Sequence, residues 1–333
     1  MRQVASDYRA RGLLKNPHLQ SILSSSPWRR RAGMLRMQAL AVQGNPHILD
    51  LPDGTRLAGV HYAAPAPGAR AMVLLLHGWE GSAQSSYILH SAAELLAAGI
   101  DVFALNFRDH GDTHHLNEGL FHSCRLQEVV DAAKAVMLHY RPVQLLVAGY
   151  SLGGNFSLRL ALAARQQGLP LAAAFAICPP VDPSHVLRQL EQGPPLYHWY
   201  FMRKWRGSLK RKRELFPEAH AISDEVLKRD MRGLTQWLVN AHTDWQDEEQ
   251  YFAGYAVSGQ RLSDVGIPVR LLVAADDPVI PIQSLRALQL PPSARMEIAE
   301  TGGHCGFIED WRGHGYAERW LKNAVIEVLN ALQ

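Results

Sequence analysis

The 333-residue chain has little cysteine: three residues, Cys124, Cys178 and Cys305. They lie far apart and form neither a paired metal-ligand spacing nor a dense disulfide framework. A reducing compartment is the simplest fit. No segment approaches the roughly 20 apolar residues that span a bilayer. The opening, MRQVASDYRARGLLKNPHLQ, has no apolar core of the kind a secretory leader carries. These absences lead us to expect a soluble, cytoplasmic protein with no transmembrane segment. Excess charge is also missing. A formal net charge of +3 is too small at this length to argue by itself for a nucleic-acid or membrane partner. No internal repeat is visible.

What the chain does have is a rhythm of short apolar runs. HILDLPDGTRLAGVHYA carries two alternating runs around Asp53-Gly54, the signature of a β-hairpin. AMVLLLHG (71–78) is a nearly continuous apolar run, as a strand buried on both faces should be; DVFALNF (101–107), QLLVAGY (144–150) and AAAFAIC (172–178) read as further buried strands, and VRLLVAA (269–275) and ARMEIAE (294–300) complete the set. Helical patterns lie between them, at 83–98, 125–140 and 152–164, and a last one at 316–332. Alternating strand and helix predicts a mostly parallel central sheet flanked by helices, an α/β fold with the hairpin as antiparallel edge. Residues 1–33 read as an irregular basic arm, and strand signals are expected from Leu35 onward. In residues 183–262 strand signals vanish. They read as a helical cap inserted into a core made of 34–182 and 263–333.

Chemistry gathers at the strand ends. Gly149-Tyr150-Ser151-Leu152-Gly153 falls where a strand stops and a helix begins, so Ser151 must sit on a sharp turn with its hydroxyl at the top of the sheet. The plain alternative is a solvated serine in a glycine-rich turn. A serine hydroxyl needs a base, and His304, in the glycine-bracketed loop TGGHCG after the last strand, is the candidate. The base needs an acid to hold its tautomer. Asp276 and Asp277 both stand at the tip of a strand, with side chains sent opposite ways, so one of them is expected to serve. Oxyanion donors are expected from the backbone N–H of Leu152 and, in the loop His77-Gly78-Trp79-Glu80-Gly81-Ser82, that of Trp79. His77 itself reads as a structural histidine bonded to loop backbone.

The motifs HGWEGS, GYSLGGN, AADDPVIP and GGHCGF resemble those of an α/β-hydrolase with a serine triad in the chain order Ser, Asp, His. The run Asn16-Pro17-His18-Leu19-Gln20, supported by Asn106-Phe107-Arg108 and the segment from Tyr251-Phe252 through Ser258 to Ile267-Pro268, is similar to the YheT-like branch of esterases. The resemblance covers nearly the whole chain. It implies the α/β-hydrolase fold and hydrolysis of carboxylic esters through an acyl-enzyme, with no cofactor. The partner it implies is a small-molecule ester, lipid-like esters included. It favours Asp277, which immediately precedes Pro278, over Asp276. The sequence departs from many relatives at Arg108-Asp109-His110-Gly111, where a glycine commonly follows the arginine, and that bears on substrate shape. The same triad serves thioesterases and aminopeptidase-like amide hydrolases, and a non-catalytic binding protein on the same shell is the reading from another class.

Other signals read as bland. The loop RDHGDTHHLNEGLFHS gathers Asp109, His110, Asp112, His114, His115 and His122, but in no ligand spacing, so a solvated loop and no metal are expected. The basic run from Arg203 to Arg213 is expected to be a solvated helix face. Tyr197, Trp199, Tyr200 and Phe201 either line an acyl pocket or pack the cap. Cys305 reads as a small packing residue.

Overall fold

In the computed structural model, which describes residues 2–65 and 71–332, nine strands form one sheet: β1 (Arg2–Ala5), β2 (Asn45–Asp50), β3 (Arg56–Tyr62), β4 (Ala71–Leu76), β5 (Asp101–Leu105), β6 (Gln144–Tyr150), β7 (Leu171–Ile177), β8 (Val269–Ala274) and β9 (Arg295–Ala299). Their order is β1-β9-β8-β7-β6-β4-β5-β3-β2. All neighbours from β1 to β5 in that order are parallel, and only the β2–β3 hairpin and its junction with β5 are antiparallel. β4 explains the apolar runs. Met72, Leu74 and Leu76 enter the hydrophobic cluster on one face, while Val73 and Leu75 enter the cluster on the other. Both faces are dry, so no polar alternation is needed.

Residues 2–33 are not irregular. β1 pairs in parallel with β9, with Gln3 opposite Met296. α1 (Pro17–Ser24) starts at an Asn16 cap whose side chain accepts the N–H of His18 and Leu19. α2 (Pro27–Ala39), capped by Ser26, runs through Leu35, where strand was expected. The reason is tertiary. Arg29 is fully buried and pairs at 2.6 Å with Glu318 of the last helix, and its Nε donates to Gly313 O. A polar, arginine-rich helix is therefore pinned to the body by one buried ion pair rather than by an apolar stripe.

α3 (Ser86–Ala97), α4 (Leu126–Tyr140) and α5 (Leu152–Ala163) connect successive core strands. Between β7 and β8 come α6 (Pro183–Gln192), α7 (Pro195–Leu215), α8 (Asp224–Lys228), α9 (Met231–His242) and α10 (Glu248–Tyr255). Asp182, Ser223, Asp230 and Asp247 cap four of these five helices through their side chains. α11 (Ile282–Arg286) and α12 (Tyr316–Ala331) complete the chain.

The basic run in α7 is not simply a solvated face. Lys212 is 1% exposed; its Nζ donates to Asp109 at 2.6 Å and to His114 O at 3.1 Å. Arg211 pairs with Asp112, and Lys204 donates to Glu80 O at 2.8 Å. The 109–122 loop is correspondingly not a solvated loop: Asp109, His110 and His114 are buried. A second buried pair, Arg108 with Glu128 at 2.7 Å, fixes its base.

Breaking a buried pair from one side leaves an uncompensated charge and costs about 3–5 kcal/mol. Arg29→Met is expected to lower the urea midpoint clearly, and adding Glu318→Leu should recover part of the loss. Equal midpoints for Arg29→Met and the parent would remove this pair from the contacts that hold α2.

Candidate active site

β6 ends at Tyr150 and α5 begins at Leu152, which leaves Ser151 alone on the turn with φ 51° and ψ −120°. Such a backbone costs of order 1–3 kcal/mol and persists because its neighbours dictate it. The Ser151 N–H donates to Ile177 O at 2.8 Å, and Ser151 O accepts from the Asn155 N–H at 3.1 Å. A Cβ at Gly149 would lie 2.1 Å from Gly153 O, and one at Gly153 would lie 2.2 Å from Leu76 O. Only glycines let the turn close against the end of β4.

The loop after β9 delivers His304. Its Nε2 lies 2.9 Å from Ser151 Oγ, and its Nδ1 lies 2.9 Å from Asp277 Oδ2. Asp277 is held by the turn it belongs to: Oδ1 accepts the N–H of Val279 at 2.8 Å and of Ile280 at 2.9 Å. The neighbouring Asp276 points elsewhere. Its Oδ1 accepts the Gly303 N–H at 2.9 Å, and burial raises its pKa above the ordinary carboxylate value. Burial of the His304 ring opposes its protonation, but the Asp277 carboxylate and the neighbouring Cys305 thiol together outweigh that and hold the imidazole pKa above the free value.

The 77–82 loop lies against this group. A Cβ at Gly78 would meet Ser151 Cβ at 3.2 Å, and the Gly78 N–H is held by Tyr87 Oη at 3.0 Å. Among the described residues the N–H groups of Trp79 and Leu152 have no hydrogen-bond partner. His77 is buried and bonded to backbone: Nδ1 donates to Gly78 O at 2.7 Å, and Nε2 accepts the Phe107 N–H at 3.2 Å. Cys178, His304 and Cys305 are the one set of three metal-type ligands close together among the described residues. Both His304 nitrogens are already engaged, and the 109–122 loop contributes nothing to that set.

Sequence reasoning missed how the arm reaches the His304 loop. Ser21 Oγ accepts the His304 N–H at 2.8 Å while donating to Pro17 O at 2.7 Å. Gln20 is fully buried; its Nε2 donates to Leu14 O at 2.7 Å and Ile308 O at 3.1 Å, and its Oε1 accepts the Ile308 N–H at 2.8 Å. Gly303, at φ 57°, has its missing Cβ filled by Pro17 O at 2.3 Å. The Asn16-to-Gln20 run was visible only as a family mark. The bonds of Gln20 to Ile308, 288 residues away, leave no local trace. Glu80 was also missed. It lines the cavity, and burial lifts its carboxyl to about 7, with Lys204 opposing.

Two cavities open on Ser151. The larger, about 780 Å³, is bounded by His304, Glu80, His110, Tyr200, Lys204 and Arg211, so the Asp109–Gly111 segment does border it. The smaller, about 130 Å³, is bounded by Leu152, Leu187, Leu190, Met231, Leu238 and Phe252. Trp79, Ser151, Phe201 and Val279 touch both. Trp79 stacks on Phe201, with ring centroids 5.4 Å apart and planes 13° from parallel, and meets the Trp205 ring edge-on. Tyr197 lines the larger cavity and also reaches the arm, its hydroxyl 2.8 Å from His18 Nδ1.

A serine at a strained strand-to-helix turn on a mostly parallel sheet, with an imidazole and a carboxylate in line behind it, defines the class: a hydrolase built on the α/β-hydrolase fold. The family model of that description matches residues 71–311, and the chain belongs to the α/β-hydrolase family. It is 24% identical over 282 residues to "Putative esterase YheT" of Escherichia coli K12, covering 83% of this chain and 82% of that one. It is 25% identical over 262 residues to mouse phospholipase ABHD3, covering 77% of this chain but only 63% of the mouse protein. Among solved structures it resembles the Pyrococcus furiosus esterase Pf2001, with a TM-score of 0.57 at 16% identity over 89% of this chain and 93% of that one, a likeness of fold. No helix among the described residues is long and apolar enough to cross a membrane.

The choice between the two aspartates has a spectroscopic consequence. Asp277→Asn is expected to remove the strongly deshielded Nδ1–H proton resonance of His304, and Asp276→Asn to keep it. The reverse pattern would make Asp276 the partner of the imidazole.

Proposed function

We propose that this protein is a serine esterase that cleaves carboxylic esters through an acyl-enzyme. The observation that carries the proposal is the unbroken line Ser151 Oγ, His304 Nε2, His304 Nδ1, Asp277 Oδ2, with 2.9 Å at each hydrogen bond. Ser151 Oγ attacks the ester carbonyl carbon as its proton passes to His304 Nε2. Asp277 fixes the tautomer and stabilises the imidazolium. The negative charge on the carbonyl oxygen is met by the N–H groups of Trp79 and Leu152, whose lack of other partners supports that role. The bond to the leaving oxygen then breaks as Nε2–H protonates it. Water, giving its proton to the same nitrogen, attacks the acyl-enzyme and releases the acid, and Ser151 recovers its proton.

Several features support the finer parts of the reading. Two relatives carry the names of an esterase and a phospholipase, which favours oxygen esters over thioesters and amides. The segment 183–262 acts as a cap, since its α7 lines both cavities and its α6, α9 and α10 line the smaller one. The arm reading extends past residue 33 to the end of α2. The chemistry draws only on side chains and backbone, and needs no cofactor. Three free thiols fit a cytoplasmic setting.

Ser151→Ala is expected to lower kcat/KM on short aryl esters by roughly 10³-fold or more, and a fluorophosphonate should label the parent enzyme at Ser151. Retained activity together with no labelling would sink the proposal. The base must be neutral to accept the serine proton, and Asp277 raises its pKa. The acid limb of kcat/KM should therefore lie above the free-histidine value of about 6.5, with activity falling as pH drops through it. Asp277→Asn should move that limb downward and lower kcat by roughly 10³-fold or more. A limb that stays fixed would contradict the pairing.

A further inference from the structure

The two cavities meet at Ser151 but differ in what else they touch. His304, which must protonate the leaving oxygen, lines the larger cavity and not the smaller one. Leu152, which follows the nucleophile, lines the smaller one only. An ester bound for attack has its acyl carbon at Ser151 Oγ and its alcohol oxygen within reach of His304 Nε2. The alcohol side must then extend into the cavity that contains His304, and the acyl side into the other.

The walls match that division. The smaller cavity has side chains of Leu187, Leu190, Met231, Leu238 and Phe252 around it, all buried. Its volume is about 130 Å³, against about 780 Å³ for its neighbour. The larger cavity, about 780 Å³, carries Glu80, Ser82, His110, Lys204, Ser208 and Arg211. The stacked Trp79 and Phe201 rings touch both chambers, with Trp205 packed edge-on behind them. The larger chamber is mixed, its charged groups standing beside the rings of Trp79, Trp199, Tyr200 and Phe201, and the smaller one is narrower and more uniformly apolar.

We infer that the small apolar chamber takes the acyl group and the large mixed chamber the alcohol. The preferred substrate is then an ester of an apolar acid with an alcohol bulkier than that acid. This rests on the esterase reading of the same site.

The test uses the whole enzyme and two substrate series. With p-nitrophenol as fixed leaving group and acyl chains from acetyl to decanoyl, kcat/KM should peak at a chain shorter than decanoyl. It should fall at least ~10-fold by decanoyl, since overfilling a packed pocket is costly. With butyrate fixed and the alcohol enlarged from ethanol to glycerol to glucose, kcat/KM should hold or rise. Leu238→Ala, which opens the small chamber, should move the acyl optimum to longer chains. The parent series stands as a test even if that variant folds poorly. A profile that rises through decanoyl, or activity that collapses as the alcohol grows, overturns the assignment. Labelling of Ser151 by fluorophosphonate in the same preparation separates the two failures. A labelled enzyme with an inverted profile refutes the chamber assignment alone, and an unlabelled, inactive enzyme refutes the esterase reading as well.

Discussion

The turn at Ser151 exists only because three backbone segments approach closer than any side chain would allow. The Leu76 carbonyl at the end of β4 occupies the space a Cβ on Gly153 would need, and the Gly153 carbonyl does the same for Gly149. This close fit fixes the hydroxyl at the carboxyl edge of the sheet, and the first turn of α5 follows directly with unpaired N–H groups. Everything else at the site is arranged around that fixed point. The 77–82 loop abuts it, the Asp277 turn is set by its own carboxylate, and the His304 loop spans the gap between them. Moving the serine by one residue would place it on the strand or in the helix, with neither the exposure nor the nearby donors.

Much of this was legible in the sequence because its physical cause is local or periodic. Strands buried on both faces must be largely apolar, and β4 through β8 read that way. A small-x-Ser-x-small run between a strand and a helix admits few conformations. The choice between Asp276 and Asp277 was less legible. Both stand at the tip of β8, and what separates them is the pair of N–H groups from Val279 and Ile280 that orient one carboxylate. That is turn geometry, which residue identities do not encode. The arm was misread for a different reason. α2 has little apolar periodicity, and Arg29 is buried by its pairing with Glu318, 289 residues away. Charge normally marks surface, and here a distant partner reversed the rule.

The same reversal governs the insertion between β7 and β8. Its basic run looked like a solvated face because four or five cations in a row usually are one. In fact Lys212 enters the body to meet Asp109, Arg211 reaches Asp112, and Lys204 caps the Glu80 carbonyl. These contacts seat α7 over the Asp109–His114 loop and beside the 77–82 loop. Phe201 and Trp205 are thereby set against Trp79. Charge fastens α7, while stacked rings shape what lies beneath it. The apolar helices α6, α9 and α10 complete the wall from the other side.

The bond between Ser21 and the backbone of His304 ties together segments 283 residues apart in the chain. A growing chain that has emerged as far as α5 already holds Ser151, yet the imidazole that will stand beside it has not been translated. Ser21, which will hold the backbone of that imidazole, was made well before either. Closing a loop of this length carries a substantial entropic cost that is met only late in folding. On the ribosome the Ser151 turn therefore stays without its imidazole neighbour until the segment after β9 has docked.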